Sequence, residues 1–117
     1  MDDRIQVIRK IFHDIRTPLS TLGFIVKNIP MVVDIRRIDG LIDGLQDAIK
    51  AASPAAITEA SKKVTAEFSL VTDAINNAKS RKKKELPTIQ GNAIRNIKRM
   101  QHMLEEAISL AEQVRSS

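Results

Sequence analysis

Cysteine, tryptophan and tyrosine are all missing from this chain of 117 residues. Without cysteine there is neither a disulfide nor a thiolate metal site. Phenylalanine supplies the whole aromatic content of 3%, too little to build a stacking platform for single-stranded bases. No apolar run approaches the roughly 18 residues that a membrane span needs. The opening MDDRIQVIRK has no apolar signal-peptide core. No alternating strand pattern occurs, and neither a glycine-rich phosphate loop nor an acidic nucleotide box is present. These absences lead us to expect a soluble, cytoplasmic protein, or the cytoplasmic piece of a larger one, with no ATP-binding domain of its own.

What is present has a globular balance, 43% hydrophobic and 28% charged, at a length suited to one domain over residues 1–117. The 19 basic side chains against 14 acidic ones leave a net charge of +5. Such a surplus favours acidic partners through steering and says nothing about fold.

Apolar residues recur at helical spacing in four segments, predicted at about 3–28, 31–52, 54–79 and 87–115. The first carries Ile5, Ile8, Phe12, Ile15, Leu19, Leu22 and Val26 on one stripe, the mark of a buried face. Pro18 lies inside it, where a missing N–H and a bulky ring should bend the axis. Asn28-Ile29-Pro30 should end it, because the residue before proline avoids helical angles. The second segment contains Gly40 and Gly44, which either let another backbone approach closely or mark an irregular turn. Ser53-Pro54 reads as a helix start, with serine as N-cap and proline at the first helical position. The third stripe is Ile57, Ala60, Val64, Phe68, Val71 and Ile75; the fourth runs from Ile89 through Ala93, Ile97, Met100 and Leu104 to Ala111. Short connections favour antiparallel neighbours, so the expected fold is all-α, an up-down-up-down four-helix bundle.

The most informative stretch lies in the first helix: Phe12 followed by His13, Asp14, Ile15, Arg16, Thr17, Pro18 and Leu19. On a helix His13 and Thr17 share a face, and Asp14 sits about 100° round from the histidine. A neutral imidazole nitrogen is a competent nucleophile near neutral pH. A carboxylate beside the ring is placed to orient it and to stabilise charge developing on it. Arg16 offers positive charge to an incoming phosphate from another side of the helix, and Thr17 is placed to position an attacking water.

The run HDIRTPL resembles the H-box of sensor histidine kinases, and the chain is similar to their dimerisation and histidine-phosphotransfer domain. The tight resemblance covers about Phe12 to Leu22; a weaker one lies in NIKRMQHMLEEAISLAEQ, similar to the family's second bundle helix. The resemblance implies His13 as phosphoacceptor, Asp14 as the adjacent acid or base, and Thr17 as the residue associated with phosphatase activity. It implies no cofactor in this chain, with magnesium held by a partner receiver domain whose acidic pocket suits the basic surplus. A kinase catalytic domain is a further implied partner, and both monomer and homodimer stay open. The chain departs from the family in the added helical stretch from about Pro30 to Ser80, between the two resembling helices. Without a nucleotide domain it is expected to be a phosphotransfer intermediate and not an autonomous kinase.

Other features weigh less. His102 borders the fourth stripe and is read as a boundary residue; no ligand set for a metal accompanies either histidine. Met100 and Met103 are read as core filler. Arg81 to Lys84 form the one dense basic run, read as a solvated turn over a nucleic-acid patch, because no DNA-reading motif goes with it. The alternative function is a non-catalytic helical adaptor that regulates a kinase or receiver.

Overall fold

The computed structural model describes residues 3–27, 29, 35–78 and 86–116. Among these residues the chain is all-helical, with α1 at Asp3–Val26, α2 at Arg36–Lys50, α3 at Pro54–Asn77 and α4 at Leu86–Ser116, and no strand. The predicted start at Met31 and the predicted ends at Asn28 and Lys79 lie outside the described residues, as does the basic run at Arg81 to Lys84. The molecule measures 54 × 19 × 19 Å. A helix of the length of α4 extends about 46 Å at 1.5 Å per residue, so α4 sets the long axis.

Each helix buries the stripe that its periodicity marks. Ile5, Ile8, Phe12, Ile15, Leu22 and Val26 of α1 are buried, joined by Ile11 and Pro18, while Leu19 is only half-buried. In α2 the buried set is Ile38, Ile42, Leu45, Ala48 and Ile49. Val64, Phe68, Val71 and Ile75 of α3 are fully enclosed, as are Ala93, Ile97, Met100 and Ala111 of α4. Ile89 and Ile108 of α4 are half-buried, and Ala107 takes a core position outside the predicted stripe.

Helix α4 packs along both α1 and α3, and α2 packs on α3, whereas α1 and α2 touch only briefly. Side-chain amides on α4 mark its path. Gln90 donates to the carbonyls of Ile75 at 2.6 Å and Ala78 at 3.0 Å. Asn96 donates to the Pro18 carbonyl at 2.5 Å. Gln101 donates to the Thr65 carbonyl at 3.3 Å and the Ser69 hydroxyl at 3.2 Å. Between α2 and α3 the Arg37 guanidinium lies 3.5 Å from Glu67, whose side chain is only 7% exposed.

Local hydrogen bonds close the α2–α3 turn. Ser53 caps α3 by accepting from the Ala56 N–H at 3.4 Å, with Pro54 beginning the helix, as its sequence predicts. The end of α2 closes differently from any sequence signal. The Ala52 N–H donates to the Ile49 carbonyl at 3.0 Å and the Ser53 N–H to the Ala48 carbonyl at 3.3 Å. That pair of bonds is the Schellman pattern, which needs a left-handed residue and usually takes glycine there. Ala52 fills the position with φ of 52°.

Gly40 and Gly44 correct two expectations. Both lie inside regular α2, so neither marks an irregular turn. A Cβ on either would meet no atom within 4 Å, so no backbone of the described chain approaches them.

Candidate functional site

His13 projects from the middle of α1, and its setting follows from which faces of that helix are covered. Ile11, Phe12 and Ile15 turn inward and leave His13, Asp14, Arg16 and Thr17 exposed. α4 passes on one side of this strip, and the end of α2 on the other. His13 thereby lines two separate grooves.

The groove toward α4 has a volume of about 440 Å³ and is lined by His13, Asp14, Thr17, Arg99 and Met103. The expected sharing of a face by His13 and Thr17 is met, and Asp14 joins them. Among the described residues no hydrogen bond or ion pair links Asp14 to His13. Orientation of the ring by this carboxylate therefore requires Asp14 to turn toward it, a rotamer change open to an exposed side chain. Arg99 adds a cation to the groove's far wall. Met103, expected as core filler, is half-buried and forms part of that wall, whereas Met100 is enclosed in the core.

The groove toward α2 is smaller, about 250 Å³, and more basic. Arg9, His13 and Arg16 line it from α1, while Gln46 and Lys50 line it from α2. Its floor is apolar, made by the buried Phe12 and Ile49. The Arg16 guanidinium lies over the Phe12 ring, 5.3 Å from its centre, within reach of a cation–π contact. Arg16 thus stands with His13 but on the side away from Asp14 and Thr17, as its helical position implies.

Pro18 faces the core and α1 continues through it. Proline has no N–H, so the Asp14 carbonyl one turn earlier lacks its usual helical donor. The Asn96 amide bonds to the carbonyl of Pro18 itself and ties α4 to α1 one turn beyond the histidine. His102, read as a boundary residue, is exposed; its Nδ1 lies 3.5 Å from Glu105 in a surface pair with 82% and 65% of the two side chains exposed. Such pairs contribute little.

Sequence reasoning left out Arg9, Gln46, Lys50 and Arg99 as site residues. Arg9 stands four residues before His13, so helical spacing alone would have found it. Arg99 falls within the weaker of the two resembling segments. Gln46 and Lys50 carry no local signal, because only the path of α2 brings them to the histidine.

Among the described residues no group of three or more histidine, cysteine, aspartate or glutamate side chains is arranged to hold a metal ion. No described helix is long and apolar enough to cross a membrane. The chain matches no family model, and no curated protein or solved structure shows significant similarity to it.

Proposed function

We propose that this chain is a histidine-phosphotransfer module of a two-component or phosphorelay pathway, acting in the cytoplasm on a receiver domain. One observation carries the reading: the histidine of HDIRTPL is exposed in mid-helix, with Asp14 and Thr17 beside it in one groove. A phosphoacceptor must be reachable by a partner's active site, and a histidine in a packed core is not.

In this reading an imidazole nitrogen of His13 attacks the phosphorus of the receiver's aspartyl phosphate. The bond from phosphorus to the aspartyl oxygen breaks, and the aspartate leaves as a carboxylate. Magnesium, held by the receiver, offsets charge on the oxygens in flight. Asp14 turns to accept the proton on the other ring nitrogen and stabilises the cationic ring. Thr17 positions water for hydrolysis of the partner's phosphoaspartate. Arg9, Arg16, Lys50 and Arg99 surround the histidine with positive charge suited to an acidic receiver pocket.

The scaffold we infer is an antiparallel up-down-up-down bundle. Its support is the order of the amide contacts: Gln90 and Gln101 ascend α4 while their acceptors, Ile75 and Thr65, descend α3. The added pair of helices, α2 and α3, takes the place in the bundle that a second copy would otherwise fill, so a working monomer is expected.

Intact mass after mixing with a panel of phosphorylated receiver domains tests the reading. An acid-labile gain of one phosphate on the wild-type chain, absent from His13→Gln, is the expected result. Receiver binding without any gain would assign the chain to the adaptor class. Loss of signal by both proteins at every receiver would leave no ground for a receiver partner.

A further inference from the structure

We infer that the groove between α1 and α2 is a binding site for a dianionic phosphoryl group, with Lys50 of α2 as the cation that completes it. The inference goes beyond transfer, since anion capture there does not depend on His13 reacting.

Three features single out this groove. First, its wall holds Arg9, Arg16 and Lys50 and not one carboxylate, whereas the groove on the other side of His13 sets Arg99 against Asp14. Second, among the described residues Arg9, Arg16 and Lys50 form no ion pair. Converging cations without counter-charges raise one another's energy, and an anion placed between them relieves it. Third, the floor of Phe12 and Ile49 is buried and apolar, which lowers the local dielectric and strengthens charge-assisted bonds above it. The contact with Phe12 also holds Arg16 along the floor.

The ligand class follows from charge and size. Three cations on one groove suit an anion of charge near two, and arginine guanidinium groups match the oxygens of a phosphoryl group in pairs. The carboxamide of Gln46 adds a neutral donor at the rim. His13 borders the same space, so a phosphoryl group held there lies next to the ring on the side opposite Asp14. The end of α2 thus has a role besides packing: it carries Lys50 to the histidine.

The test follows His13 and the groove's backbone amides by nuclear magnetic resonance during titration with inorganic phosphate, against chloride at matched ionic strength. Saturable shifts centred on Arg9, His13, Arg16 and Lys50 are expected. Lys50→Ala should weaken phosphate binding about tenfold, the scale of one lost charge-assisted contact. Arg99→Ala should leave it unchanged, and His13→Gln should retain most of it. Shifts that are linear with salt, or centred on Arg99, or unaltered by Lys50→Ala, would overturn the site.

A second arm separates free phosphate from a phosphoryl group delivered on a partner. If a receiver delivers it, Lys50→Ala slows transfer to His13 about tenfold at saturating receiver, where a loss of receiver affinity has no effect. If the free anion is the ligand, Lys50→Ala loses phosphate binding and transfer is untouched. Phosphate binding without transfer from any receiver would retire the transfer reading and leave this site standing. Transfer with no phosphate binding and no effect of Lys50→Ala would do the reverse.

Discussion

The two sides of α1 are held in different ways. Toward α4 it packs extensively, against buried residues that include Leu104 and Ala107. The Asn96 bond to the Pro18 carbonyl pins the register there. Toward α2 the contact is brief. Ile11 and Phe12 stay at the edge of exposure, each at 9%, and a basic groove opens where a closed seam would lie. Helix α2 is anchored instead to α3, through its apolar stripe, the Arg37–Glu67 pair and a tight turn. A helix fastened on one side and loose on the other leaves room for a ligand without weakening the core beneath it.

Cavity-forming substitutions test this contrast most strongly. Phe68→Ala, at a residue with no exposure, should cost about 3–5 kcal/mol in urea unfolding. Ile49→Ala, under the groove, should cost only about 2 kcal/mol, the low end for such changes, because the open seam lets neighbours relax. Equal losses at the two positions would mean that the seam is as tightly packed as the core.

Next in size is the anchor of α2. Arg37→Ala leaves the Glu67 carboxylate buried without its counter-charge and should destabilise by about 1–3 kcal/mol. Combining it with Glu67→Leu should recover most of that loss, since removing both partners spares the desolvation penalty. A double variant no better than the single one would show that Arg37 acts through packing of its stem.

The smallest effects run the other way, one in α3 and one at the end of α2. Ser61 on α3 has no exposure, and its hydroxyl has no hydrogen-bond partner. Ser61→Ala should therefore gain up to about 1 kcal/mol. Ala52, left-handed at the end of α2, bears a steric cost that glycine lacks. Ala52→Gly should raise stability by about 0.5–1 kcal/mol. A drop in melting temperature for Ala52→Gly would show that the half-buried methyl contributes more by packing than the backbone loses by strain.

Helix identity was legible residue by residue. Phe68, Val71 and Ile75, or Ile97, Met100 and Leu104, recur at three and four, and a stripe with that spacing has no other way to leave water together. Ser53-Pro54 announced the start of α3 because both the cap and the proline act locally. The strip His13, Asp14, Thr17 was equally readable, since all three fall within about one helical turn. The strained turn was not legible: Ala52 lacks the glycine that usually flags a left-handed end. Gly40 and Gly44 misdirected for the complementary reason, as nothing local says that the space beside them is empty.

The sequence alone determined what each segment is and which face it buries, because periodicity, capping and proline geometry operate within a few residues. Only the tertiary structure decided what meets what. Lys50 and Arg99 flank His13, Asn96 reaches Pro18, and Arg37 shields Glu67 across distances in the chain where no local pattern operates. Those meetings are set by how far each helix runs and against which neighbour it is pressed, and the packing of all four helices around one core fixes both.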